Sequence, residues 1–140
     1  MKKVVVDASV AVKWFVPEIH SAAAARLLDP AIVLCAPDLI SAEFGNVLWK
    51  KVRRAELTRD DADEILEAFG GVPLEIRPSS VLLAAAFELA VELDRSVYDC
   101  LYLALAVAEK CALVTADAKF HSVVVASPLA NHVHWVQDEV

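Results

Sequence analysis

Glycine is scarce in this chain, with three in 140 residues, and no serine, glycine or proline tract interrupts it. That absence excludes a flexible linker, so a single domain over residues 1–140 is expected, without internal repeats or a disordered arm. Cysteine is equally sparse. Cys35, Cys100 and Cys111 are odd in number, lack CxxC spacing and fall in apolar segments, which argues against a disulfide framework or a zinc site and predicts buried, reduced thiols. Long hydrophobic runs are missing too: VLLAAAF and LYLALAVA fall far short of the roughly 20 residues a membrane-spanning helix needs. The short valine run before Asp7 is also too brief for a secretory signal, whose apolar core takes about 7 to 15 residues, so a soluble cytoplasmic protein is expected. Positive charge is the last shortage. A formal net charge of −7 excludes a protein that coats nucleic acid by bulk attraction, though not one with a local basic groove.

What the chain has in abundance is apolar residues, 58% of the total, carried largely by Ala, Val and Leu. A chain of this length buries on the order of 70% of its extended surface in one core. The pattern alternates. A strand at about 3–6 precedes helical SVAVKWFV and SAAAARLL, and AIVLCA reads as a strand. PDLISAEFGNVLWKKVRR reads as a long helix opened by Pro37, and Thr58 with Asp61 forms a capping box for DADEILEAF. Strand PLEI, helix SSVLLAAAFELAVEL, a helix over about Ser96–Lys110, strand ALVT, a brief helical segment near Lys119 and strand HVHWV follow. Strands separated by helices predict an α/β fold, three layers α/β/α around a parallel sheet of about five strands.

Four acids stand out by position. Asp7 ends the apolar run KKVVVDAS and Asp117 follows ALVTAD, and in an open α/β sheet such strand ends line the ligand crevice. Glu43 and Asp99 lie on predicted helices able to lean over it. Each has an ordinary structural explanation as well. Asp7 and Asp117 stand where a helix cap would, Asp99 stands three residues after Ser96 at a capping-box spacing, and Glu43 is a polar residue at the margin of the apolar stripe Ile40, Phe44, Val47 and Leu48, one turn from Asn46. No single structural cause places all four around one crevice. If they meet, two carboxylates about 5 Å apart at an effective dielectric near 20 repel by about 3 kcal/mol, so the cluster predicts a divalent cation, with Mg²⁺ or Mn²⁺ suiting an all-oxygen donor set.

The segments VVVDASVAVKWF, APDLISAEFGNVLWK, SVYDCLYLALA and LVTADAKF, in this order and spacing, resemble the PIN-domain family, most closely its VapC-type toxin ribonucleases. The resemblance spans nearly the whole chain and implies a metal-dependent endoribonuclease. It places Asp7, Glu43, Asp99 and Asp117 at the family's four acids, with Ser9, Asn46 and Thr115 as accompanying polar residues. By the same resemblance, Asp7 and Asp99 hold the principal ion, Glu43 and Asp117 complete the shell, and a second ion joins with substrate. An RNA substrate, a cognate VapB-type antitoxin reaching the acidic pocket with a basic side chain, and a homodimer formed through VLLAAAFELAV or SAAAARLL are implied partners.

Lys13, Lys50, Lys51, Arg53 and Arg54 are the candidates for contacting RNA backbone, set against the simpler role of cations near a helix C-terminus. Trp14 and Phe15 are candidates for stacking a base, against core packing for at least one of them. His132 and His134 alternate on a predicted strand with nothing soft beside them, which favours edge exposure over metal binding; His20 and His121 read as surface. Two other classes remain open at this level. One is a catalytically silent PIN-like module that only binds RNA or protein. The other is a receiver-type phosphoacceptor or aspartyl-phosphate phosphatase, against which stand the DAS start in place of DxD and the lack of paired acids after the first strand.

Overall fold

The valine run that opens the chain has no polar alternation, and Val4, Val5 and Val6 are all buried, as a strand covered on both faces requires. A computed structural model describes residues 2–140; Met1 lies outside the described residues. Among the described residues the order is β1 (Lys2–Val6), α1 (Ala8–Ala11), α2 (Ser21–Ala25), β2 (Ile32–Pro37), α3 (Leu39–Arg53), α4 (Arg59–Gly70), β3 (Leu74–Arg77), α5 (Ser79–Leu93), α6 (Val97–Ala108), β4 (Ala112–Thr115), α7 (Ala118–Val125) and β5 (Val133–Trp135).

All pairings are parallel, and the strands stand in the order β3-β2-β1-β4-β5. Val4 is opposite both Leu34 of β2 and Ala112 of β4, so β1 is the central strand. From β1 the chain runs outward through β2 and β3, then crosses back to β4 and β5. With right-handed crossovers, α1 to α4 cover one face and α5 to α7 the other, giving the three-layer α/β/α architecture. The direction reverses between β1 and β4. Carboxyl ends of strands flanking such a reversal diverge, and their connections leave a crevice between them.

Two helices determine what overlooks that crevice. On α3, Ile40, Phe44 and Leu48 recur every four residues and are fully buried, which fixes the helix roll and leaves Glu43, Asn46 and Val47 along its edge. On α6 every residue from Cys100 to Ala106 is buried, because the helix packs across β1, β2 and β4 and beneath α5. Asp99 stands one residue before this apolar stretch, at the solvent end.

Local signals were mostly followed. Thr58 and Asp61 form the reciprocal capping box that opens α4. Four details differ from the expectations. Pro37 ends β2 rather than opening α3, since its fixed φ suits a strand end and Asp38 supplies the turn. SVAVKWFV is a single α-turn followed by a tighter helical turn at Val12–Trp14, and α7 is eight residues rather than a brief segment. The helix expected to reach Lys110 ends at Ala108, with Lys110 in the left-handed region at φ 54. Trp14 and Phe15 both serve the core. The Trp14 indole donates to Ala24 O at 2.9 Å, and Phe15 packs edge-on to Phe44 and Phe69, which stack with centroids 4.0 Å apart. Cys35 and Cys100 are buried, Cys111 is half-buried, and all three are free.

Through these rings Phe44 of α3 joins α4 to the segment that follows the Val12–Trp14 turn. Phe44→Ala is expected to destabilise the fold by about 3–5 kcal/mol, read as a shift in the urea midpoint at unchanged slope.

Candidate active site

The carboxylate of Asp7 begins as a helix cap. Its backbone is extended where β1 ends, and Oδ1 accepts from Val10 N–H at 3.2 Å. Two hydroxyls then complete its shell: Ser9 Oγ donates to Oδ1 and Thr115 Oγ1 to Oδ2, each at 2.5 Å. Thr115 is the last residue of β4 and is fully buried, so this bond ties the carboxyl ends of β1 and β4 together across the reversal point. Ser9 Oγ accepts from Ala116 N–H at 3.0 Å and Thr115 Oγ1 from Asp117 N–H at 3.1 Å, which fixes the turn that delivers Asp117.

The other three acids arrive by different routes. Asp117 caps α7 through Oδ1, accepting from Phe120 N–H at 3.1 Å. Asp99 is the third residue after the cap Ser96, whose hydroxyl accepts its N–H at 3.1 Å, and its carboxylate accepts from Arg95. Glu43 receives the phenol of Tyr102 on Oε1 at 2.5 Å. All four line one cleft of about 440 Å³ at the carboxyl end of the sheet, together with Ser9, Asn46, Lys50, Tyr98 and Tyr102.

Electrostatics inside the cleft are unfavourable to bare anions. Burial raises the Asp7 carboxyl from 3.8 to about 6, opposed by the Ser9 and Thr115 hydroxyls and the Val10 amide and reinforced by Asp117. Glu43 is also raised, chiefly by burial and further by Asp99, against the lowering effect of Tyr102. Burial and the Glu43 charge push the Tyr102 phenol up, so it stays a donor. Among the described residues neither Asp7 nor Glu43 has an ion-pair partner. Asp99 and Asp117 do: Arg95 Nη2 is 2.9 Å from Asp99 Oδ2 and 3.6 Å from Asp117 Oδ2. No three His, Cys, Asp or Glu side chains among the described residues converge closely enough to enclose an ion as they stand. The donor set nevertheless fits a hard divalent cation: four carboxylates share one cleft, and two of them carry no neutralising partner.

The expected RNA-contacting cations divide. Lys50 lines the cleft beside the acids, and Arg53 and Arg54 are exposed further along, Arg53 lying 5.2 Å over the Trp49 ring. Lys13 is a correction. It is buried, donating to Glu18 at 3.0 Å and to Ile19 O at 2.8 Å, because Glu18 in the loop after α1 turns back beneath it. Lys51 reaches the same Glu18 at 3.4 Å and Glu56 at 3.9 Å, so it too serves the fold. His132 and His134 are half-buried at and beside the edge strand β5, with His132 Nδ1 2.8 Å from Cys111 O. His20 and His121 are not surface residues: both are half-buried against Trp135.

Tyr102 and Arg95 are site residues that the sequence reading passed over. Tyr102 stands three residues after Asp99 on α6, a spacing that shares its face, whereas Arg95 precedes the cap Ser96 and no helical spacing points to it.

The PIN domain family model matches residues 4–125. The chain belongs to the PIN-domain family, among its VapC ribonucleases. Ribonuclease VapC3 of Pyrobaculum aerophilum is 39% identical over 106 residues, covering 74% of this chain and 81% of the relative. A crystal structure of another protein from that organism superposes with a TM-score of 0.71 at 23% identity, over 97% of this chain and 85% of that one. The VapBC2 structure from Rickettsia felis, bound to a promoter DNA fragment, gives 0.66 at 18% identity over 95% and 98%. These two likenesses establish the fold; the sequence relative and the family model establish the kinship.

A raised carboxyl has a definite sign in stability. Between about pH 4 and 6 the folded protein holds a proton on Asp7 that the unfolded chain releases, so this contribution is complete below the unfolded value of 3.8 and is lost as pH rises through about 6. The full span corresponds to about 3 kcal/mol. With EDTA present, Asp7→Asn is expected to flatten the fall in urea-unfolding free energy between pH 4 and 7. Parallel pH profiles for the two proteins would show the carboxyl to be unperturbed.

Proposed function

We propose that this protein is a divalent-cation-dependent endoribonuclease, the toxin of a VapBC-type pair, and that Asp7, Glu43, Asp99 and Asp117 are its catalytic acids. The observation that carries this is the gathering in one cleft of acids from the ends of β1 and β4 and from α3 and α6. A phosphodiester is anionic and repels both hydroxide and a carboxylate-lined cleft, so a cation is required on both counts. Held by these four carboxylates, Mg²⁺ or Mn²⁺ would supply Lewis-acid polarisation of the phosphoryl oxygen and an acidified water as the nucleophile.

The chain's own residues prepare for this. Asp7 and Asp99 are assigned the principal ligand oxygens, with Glu43 and Asp117 completing the set. Ser9 and Thr115 hold both oxygens of Asp7 in one orientation, and Tyr102 does the same for Glu43, which makes these three positioning residues. Asn46 lines the cleft one turn from Glu43, as a further polar group for ligand or water. Lys50 at the rim suits a backbone phosphate, with Arg53 and Arg54 extending the same helix outward. Tyr98 is exposed at the cleft and offers a ring for stacking an unpaired base.

The relatives bring the rest of the proposal. VapBC2 of Rickettsia felis pairs a toxin with its antitoxin, and a VapB-type antitoxin is the proposed partner here. The homodimer belongs to the same proposal, with Val81, Leu83, Phe87 and Val91 on α5 as its face: they are large, apolar and exposed. No helix among the described residues is long and apolar enough to cross a membrane.

Purified protein incubated with single-stranded RNA is expected to cleave it with Mn²⁺ and to stop with EDTA. Asp99→Asn should lower the rate by about 100-fold or more. Cleavage by Asp99→Asn at the native rate would overturn the assignment of the acids. In cells, growth arrest on expression should be relieved by the antitoxin and be absent for Asp99→Asn.

A further inference from the structure

Asp94 ends α5 in the left-handed region at φ 53, and this turn throws Arg95 toward α6 and α7 rather than into solvent. Only 22% of the Arg95 side chain is exposed. Its guanidinium lies 5.4 Å from the centroid of Phe120, a fully buried ring. Nη2 bridges Asp99 at 2.9 Å and Asp117 at 3.6 Å. Nε is buried with no hydrogen-bond partner among the described residues. A surface ion pair would not leave a buried donor unmatched; here the position of the guanidinium is dictated by the two acids and the ring, at the expense of that donor.

The consequence is a fixed monocation beside the acid cluster, against Asp99 and Asp117, while among the described residues Asp7 and Glu43 have no ion-pair partner. We propose that Arg95 is the built-in second cation of the site, so that the cleft takes up a single divalent ion. This rests on the metal-dependent function proposed above. The charges agree. Four ionised carboxylates carry −4 and Arg95 with Lys50 reduces this to −2, so one divalent ion neutralises the site and a second would make it net positive. Without the guanidinium the site carries −3, one divalent ion leaves it at −1, and the Oδ2 atoms of Asp99 and Asp117 that Arg95 holds are open to a second. Arg95 therefore acts as a positioning residue. It holds two acids from different helices together before the ion arrives and restricts how many ions follow.

The test counts ions rather than turnover. Mn²⁺ titrated into the purified full chain, with free Mn²⁺ read by its EPR signal, is expected to saturate at one ion per chain for the native protein and for Arg95→Lys, and at two for Arg95→Met. Circular dichroism melting of each variant checks folding. Two ions in the native chain overturn the proposal even if Arg95→Met does not fold, and one ion in both native and Arg95→Met overturns it while leaving the metal-dependent function intact. A native chain that binds no Mn²⁺ overturns that function itself, and this proposal with it.

Discussion

A carboxylate held almost out of water is the constraint around which this molecule is arranged. Asp7 joins the central strand to its neighbour through the Thr115 hydroxyl and to its own helix through Val10 and Ser9. The strand ends therefore cannot separate without breaking bonds to a buried anion. Hydrogen bonds offset part of the desolvation, but burial still dominates and the group is reluctant to ionise. A purely structural residue at this point would be Asn or Ser. An aspartate here is a carboxyl whose charged form is disfavoured by its surroundings.

The same economy governs the rest of the cleft. Asp7 and Asp117 each cap a helix with one oxygen while facing the cleft, so a single residue both starts a helix and presents a carboxylate to the cleft. Capping fixes backbone and side chain together, which is why these acids are held on short, stiff turns rather than on mobile loops. Glu43 has no cap to orient it and takes its orientation from Tyr102, across from another helix. Cations are distributed just as selectively: Glu18 gathers Lys13 and Lys51 into the scaffold, whereas Lys50 is left beside the acids. The basic run at the end of α3 is thus partly structural.

Membership of the PIN-domain family agrees with this physics without replacing it. An open parallel sheet makes a crevice where its winding reverses, and that much is shared with many unrelated activities. What narrows the chemistry is the number of carboxylates brought there and the shortage of cations to balance them. A receiver-type phosphoacceptor would need paired acids at the end of the first strand; here the second position after Asp7 is Ser9, whose hydroxyl is committed to Asp7 and to the Ala116 amide.

Much of the scaffold was legible in the residues because its causes are local. Buried valines mark β1, the period of Ile40, Phe44 and Leu48 rolls α3, and the Thr58–Asp61 pair starts α4, each within a span where strand or helix geometry alone sets which side chains are neighbours. The candidacy of the four acids was readable for the same reason, from strand ends and cap positions. Strand order, the burial of Lys13, the stacking of Phe44 on Phe69 and the bridge from Arg95 to Asp117 were not, since they join segments whose separation in sequence says nothing about their separation in space. The sequence by itself determined which elements form and which carboxylates stand at their ends. Only the tertiary structure decided which of those charges would be paired and which left bare, because that depends on how independently formed helices are packed against one sheet.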